Sequence, residues 1–264
     1  MKDILSDIIQ EKIKEIKQQQ SVLSTEQLEE SLDVTPIRRS MKEALRQSPT
    51  GIIAEFKRRS PSKGWINETA DPQIIVPAYE RAGAAACSIL TDPSFFGGSL
   101  SDIRRARDLV DLPILRKDFI IDEYQLYQSK IIGADAILLI ASALDKKSCA
   151  QLAQKAHELE LEVLLELHDE KEIDYITPHV DMIGVNNRHL GSFHTDVDQS
   201  FRLVELLPKD AILVSESGLS EAETLIKLRQ VGYHGFLMGE HFMRQADPGV
   251  ALQQFIAQIK ASDL

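Results

Sequence analysis

A chain of 264 residues, 43% hydrophobic and 27% charged, carries enough apolar material for a sizeable globular core. Its 41 acidic residues outnumber 30 basic ones, giving a net charge of −11, which disfavours nucleic acid as a partner and demands a local basic pocket for any anionic ligand. Two distant cysteines (Cys87, Cys149), histidines without metal-ligand spacing, and no apolar run near the ~18 residues of a membrane span together predict a cytoplasmic protein with no disulfide framework, metal site or cofactor.

The first elements are helical. In "ILSDIIQEKIKEIKQQQ", Ile4, Ile8, Ile9, Ile13 and Ile16 recur every three to four residues, which predicts an amphipathic helix with a charged outer face. A second short helix is expected near residues 25–46. Residues 1–48 thus read as a helical extension covering part of the core, and residues 49–264 as the main body.

From residue 50 short apolar runs repeat: "GIIAEF" (51–56), "ACSILTD" (86–92), "LPILRKDF" (112–119), "DAILLIAS" (135–142), "LEVLLELH" (161–168), "DMIGVNNR" (181–188), "AILVSESG" (211–218) and "HGFLMGE" (234–240). Segments of helical periodicity separate them. Asp71 before Pro72, Asp122 before Glu123, and Ser220 before Glu221 and Glu223 mark helix starts, and Gly83, Gly133 and Gly232 mark stops. The runs are continuously apolar, as in parallel strands covered on both faces. Eight strand–helix units in a chain of this length predict a closed (β/α)8 TIM barrel. An open doubly wound sheet is the alternative, but the Gly-rich turn it favours after the first strand is absent.

In such barrels the chemistry lies at the C-terminal tips of the strands. The first tip brings Glu55 and Lys57, two residues apart and so on one face. The third brings Lys117, the fifth Glu166 beside His168, the sixth Asn186 and Arg188, and the seventh Glu216, Ser217 and Gly218. Taken singly, each is an ordinary solvated charge or salt bridge. Together at one end of a barrel they form a cluster whose members perturb one another's pKa, as general acid–base chemistry requires. Gly218 and Gly239, in the loops after strands seven and eight, let backbone N–H groups approach a phosphate, and Ser60 adds a hydroxyl donor. Lys57, Arg58, Arg59 and Lys63 concentrate positive charge in the first loop. Phe96 and Phe119 follow strands two and three, either as core or as the walls of an aromatic subsite.

The stretches "IIAEFKRRSPSKG", "ILTDPSFFGGSL", "PILRKDFIID", "LLELHD", "IGVNNRHL", "VSESGLS" and "GFLMGEHFMR" resemble, in order, the signatures of the indole-3-glycerol phosphate synthases. The resemblance runs from about residue 50 to 245, and the helical leader resembles that family's N-terminal segment. It implies conversion of 1-(2-carboxyphenylamino)-1-deoxyribulose 5-phosphate to indole-3-glycerol phosphate, carbon dioxide and water, with no cofactor. It further implies Lys117 as the acid at the ketone oxygen, Glu166 and Lys57 in dehydration, and Glu55 holding Lys57 charged and oriented. Asn186, Arg188, Glu216 and Ser217 would position the substrate, Phe96, Phe119 and Pro61 would pack its ring, and Ser60, Gly218, Gly239 and the backbone at Glu240 would hold its phosphate. Which lysine supplies the dehydration proton stays open.

Two positions depart from the family pattern: His189 stands where Asp is common, and Glu240 where Ser is also seen. The Glu240 side chain is expected to turn outward, leaving only its N–H for the phosphate. The expected partner is a small phosphorylated molecule, and the chain is expected to be a monomer, in at most weak association with other tryptophan-pathway enzymes. A phosphoribosylanthranilate isomerase-type barrel, or a non-catalytic barrel subunit, is the alternative; the first lacks its Cys/Asp pair here and the second should have lost charged tips.

Overall fold

In a computed structural model, which describes residues 4–32, 39–189 and 194–262, the eight apolar runs form eight parallel strands closed into one barrel. They are β1 (Ile52–Phe56), β2 (Ala86–Leu90), β3 (Ile114–Lys117), β4 (Ala136–Ile140), β5 (Glu162–Leu167), β6 (Met182–Asn186), β7 (Ile212–Glu216) and β8 (Tyr233–Met238). They follow chain order round the ring, and β1 closes it by pairing with both β2 and β8. All residues of β1, β2, β4, β5, β6 and β7 are buried, so each strand is covered on both faces.

Three helices precede the barrel: α1 (Ile4–Val22), α2 (Thr25–Glu30) and α3 (Met41–Gln47). The helix expected near 25–46 is therefore two. The Ser31 hydroxyl closes α2 on the Leu28 carbonyl, and Ser40 starts α3 afresh by accepting the Glu43 N–H at 3.1 Å; residues 33–38 between them lie outside the described residues. Outside the barrel run α4 (Pro72–Ala82), α5 (Leu100–Arg107), α6 (Glu123–Ile131), α7 (Lys146–Glu158), α8 (Asp198–Leu203), α9 (Ala222–Gln230) and α10 (Pro248–Ser262). The connector after β5 is not an α-helix but a 3₁₀ helix, Glu170–Tyr175; Pro178, just beyond it, has no N–H with which to prolong a helical ladder.

Asp71 and Asp122 cap α4 and α6 as their spacing predicts, the second in a capping box with Gln125. Ser220 does not cap α9. Its hydroxyl donates to the adjacent Glu221 carboxylate at 3.3 Å, and the helix begins at Ala222 without a side-chain cap.

Two of the leading helices, α3 and α1, pack over opposite ends of the barrel. At the N-terminal end, Met41 and Leu45 of α3 are fully buried against the inward side chains of the strands. Glu162, the first residue of β5, accepts the Ser40 hydroxyl and the Lys42 N–H and so fixes the start of α3. At the other end, Ile8 of α1 packs with Phe119, Leu138 and Ile140. The buried row of α1 is Ile8, Lys12 and Ile16, a strict four-residue spacing. Lys12, expected on the charged outer face, is thus inside.

Candidate active site

A cavity of about 600 Å³ opens at the C-terminal end of the strands. Every residue to which the family resemblance assigns a role lines it, from Glu55 on β1 to Glu240 after β8, and Ile4, Leu5 and Ile8 of α1 form part of its wall.

Two lysine–carboxylate groups organise the floor. The Lys117 ammonium lies 3.4 Å from Glu166 Oε2 and 3.3 Å from Glu216 Oε2. The Lys57 ammonium lies 2.6 Å from Glu55 Oε1. Glu55, Glu166 and Glu216 are all nearly inaccessible to solvent. Burial alone pushes carboxyl pKa values up. At Glu55 the attraction of Lys57, Lys117 and Arg188 outweighs it, and the pKa falls below its ordinary value. At Glu166 burial is again overcome, by Lys117, His168 and Asn186, and the pKa is likewise lowered. Glu216 goes the other way: burial outweighs Lys117, the negative charge of Glu166 adds to it, and the proton is held more tightly than usual. Lys117 itself is penalised by burial but raised by Glu216, Glu166 and Glu55 together. The result is an ammonium form favoured at Lys117, between one carboxyl group whose pKa is lowered and one whose pKa is raised.

Glycines on neighbouring strands make room for these carboxylates. A methyl group at Gly184 on β6 would overlap Glu216 Oε1, and one at Gly239 would overlap Glu55 Oε1. Gly239, expected to serve phosphate through its N–H, is thus also the seat of Glu55.

Ser217 has φ of 67°, a left-handed backbone uncommon for a residue with a side chain. Asn187, buried behind the site, holds that conformation by donating to the Ser217 carbonyl at 3.0 Å and the Ser215 hydroxyl at 3.1 Å. The chain next turns through Gly218 at φ of 75°, where a β-carbon would meet the Thr195 methyl. Asn186 accepts the Arg188 N–H at 3.0 Å, fixing the sixth tip. At the first loop, the Ser60 hydroxyl is buried without a hydrogen-bond partner, although it lines the cavity. Across from it, the rings of Phe96 and Phe119 are 6.3 Å apart and tilted by 38°.

Some expectations are corrected. Of the basic cluster in the first loop, only Lys57 and Lys63 line the cavity. Arg58 turns away to Asp102, at 2.6 and 2.9 Å, and Arg59 to the Ser94 carbonyl and the Trp65 ring. Glu240 is not directed simply outward. Its carboxylate lies 4.0 Å from Lys63 and 3.9 Å from Arg188, the nearest opposite charges at the rim. His168, beside Glu166 at 3.2 Å, and Asn187 behind the seventh tip join the site as well. Both sit on strand-end motifs already read as functional, but only tertiary contacts reveal what they touch.

Among the described residues no group of three or more His, Cys, Asp or Glu side chains is arranged to hold a metal, and no helix is long and apolar enough to cross a membrane.

In solved structures the barrel is similar to a mutant tryptophan synthase α-subunit from Pyrococcus furiosus, with TM-score 0.60 and 12% identity, covering 80% of this chain and 98% of that one. The α-subunit from Legionella pneumophila aligns similarly, with TM-score 0.61, 12% identity and coverage of 86% and 98%. At that identity the likeness concerns the fold alone. The sequence itself reaches much nearer relatives. A protein of Bacteroides thetaiotaomicron named indole-3-glycerol phosphate synthase is 61% identical over 260 residues, 98% of this chain and 100% of its own. One of the same name from Salinibacter ruber is 43% identical, covering 97% and 96%. Residues 5–255 match the family model described as indole-3-glycerol phosphate synthase. With its closed barrel and its lysine–glutamate mouth, the chain belongs to the indole-3-glycerol phosphate synthases, the carboxy-lyases that act in tryptophan biosynthesis.

Proposed function

We propose that the two lysine–carboxylate groups divide the synthase reaction between them. The aromatic carbon bearing the substrate carboxylate attacks the ketone of 1-(2-carboxyphenylamino)-1-deoxyribulose 5-phosphate. Negative charge builds on the ketone oxygen, and Lys117 gives it a proton. Carbon dioxide then leaves, and its bonding electrons restore the aromatic ring. The same oxygen must next depart as water, so it needs a second proton while the carbon beside the ring nitrogen loses one. Lys117 has just given up its proton, so Lys57 supplies the second and the ionised Glu166 accepts the proton from carbon. Glu55 orients Lys57, and Glu216 sets the position of Lys117.

The observation that carries this assignment is the pairing of each partly buried lysine with its own buried carboxylates, 2.6 Å apart at Lys57–Glu55 and 3.3–3.4 Å around Lys117. In the same reading Phe96, Phe119 and Pro61 pack the anthranilate ring, and Asn186, Arg188 and Ser217 position the sugar hydroxyls and carboxylate. Ser60 and the backbone at Gly218, Gly239 and Glu240 hold the phosphate, and the partnerless Ser60 hydroxyl supports that role. Residues 1–48 act as an extension packed on the barrel, of which α1 walls the mouth beside the ring. The test is an assay of the purified protein with the carboxyphenylamino-deoxyribulose phosphate, following indole fluorescence without added metal. Robust turnover is expected, and its absence would defeat the assignment.

A further inference from the structure

One buried cation at the barrel mouth takes no part in this chemistry. Lys12, midway along α1, is 1% exposed. Its ammonium lies 2.8 Å from Glu15 Oε2, 2.9 Å from Asp92 Oδ2 and 3.0 Å from Asp118 Oδ1. Both aspartates have second roles at the mouth. Asp92 Oδ1 accepts the Phe95 N–H at 2.7 Å and caps the short turn Pro93–Phe96 that carries Phe96. Asp118 directly follows Lys117, and its Oδ1 accepts the Phe119 N–H at 2.8 Å. Its Oδ2 takes the Thr91 hydroxyl at 2.6 Å and Arg116 at 3.0 Å. Lys12 is therefore where the leader meets the loops after β2 and β3, and one turn earlier the same helix row sends Ile8 to the cavity wall.

We propose that Lys12 is a positioning residue for the aromatic end of the substrate: by drawing Asp92 and Asp118 onto one ammonium it sets the gap between Phe96 and Phe119 and presses Ile8 against it. This rests on the assignment of the substrate ring to those phenylalanines. Without the ammonium, two buried carboxylates face each other with Arg116 as the remaining cation, and they must part or take up a proton. Either response shifts a backbone N–H that now holds a ring in place. Burial works against the Lys12 charge, but Asp118, Asp92 and Glu15 outweigh it and raise its pKa, so it is a fixed strut rather than a switch.

The test compares full-length Lys12→Met and Lys12→Arg with Leu152→Ala, a core truncation on α7 remote from the mouth. KM and kcat are measured with the carboxyphenylamino-deoxyribulose phosphate, together with inhibition by inorganic phosphate. Lys12→Met should raise KM by about tenfold or more and change kcat less, since small displacements of a bound reactant carry penalties of this order. Its inhibition constant for inorganic phosphate should not move, and Lys12→Arg should recover most of the KM. Leu152→Ala should lower the melting temperature with KM unchanged. If Lys12→Met does not fold, Lys12→Met with Asp92→Asn removes the surplus charge, and its KM should still be raised. An unmoved KM in the folded Lys12 variant, an equal rise in Leu152→Ala, or weakening of phosphate inhibition in step with KM would overturn the proposal. A parent enzyme without turnover would instead defeat the site assignment, and this inference with it.

Discussion

Glu55 lies directly over Gly239, so close that a methyl group on that glycine would overlap its Oε1. The same oxygen holds the Lys57 ammonium at 2.6 Å. A glycine on one side of the barrel seam thus controls where a lysine on the other side points. Gly239→Ala should push Glu55 aside, release Lys57 and lower kcat, at a stability cost of about 1–3 kcal/mol for overpacking. The decisive measurement is a double-mutant cycle: if Gly239 acts through Glu55, Gly239→Ala should cost little further activity in a Glu55→Ala background. Full additivity of the two losses would separate them.

Lys117 carries the largest expected effect. Lys117→Ala should reduce kcat by about 10²–10⁴, the usual contribution of a positioned acid. Substrate binding, measured by titration of the inactive variant, should be largely retained. Near-normal turnover would remove Lys117 from the acid role.

Glu216 gives a pH test. Its folded pKa is raised, mainly by burial, with the Glu166 charge adding to it. The folded state therefore binds a proton that the unfolded state releases, and stability falls as pH rises from the ordinary glutamate value through the raised one. Glu216→Gln cannot ionise, so it should melt higher than the parent at pH 8, with the difference shrinking towards pH 4. A relief of about 1 kcal/mol moves the melting temperature by about 2–4 °C in a chain of this size. Activity should fall in the same variant. Parallel melting curves across the pH range would show that Glu216 ionises as freely in the folded state as in the unfolded one.

Ser60 separates binding from stability. Its buried hydroxyl has no protein partner, so Ser60→Ala removes nothing the folded state relies on and should leave the melting temperature unchanged or slightly higher. If the hydroxyl serves a charged phosphate, KM should rise by about tenfold, the equivalent of one charge-assisted hydrogen bond. An unchanged KM would assign the phosphate to the other donors alone.

Much of the site could be read from strand ends alone. Where an apolar run stops at a charge, as in Glu55 and Lys57 or Leu115 to Lys117, the local period already fixes which side chains share a face. The less legible parts involve long side chains whose direction depends on distant partners. Arg58 and Lys57 are adjacent, yet Arg58 is drawn out of the cavity by Asp102 on α5 and by the backbone carbonyls of Ala70 and Gly97. Lys12 sits in a run of alternating charge and isoleucine that resembles a solvated face, and the carboxylates that bury it come from two other loops.

The sequence by itself determined the order of eight buried strands, the polar chemistry at their tips and the family to which those tips belong, because strand burial and alternation are local properties of consecutive residues. Only the tertiary structure decided which carboxylates Lys117 faces, which glycine seats which glutamate, and that the leader enters the site through Lys12. These depend on atoms brought within about 3 Å from remote parts of the chain, where a hydrogen bond or ion pair first acquires energy.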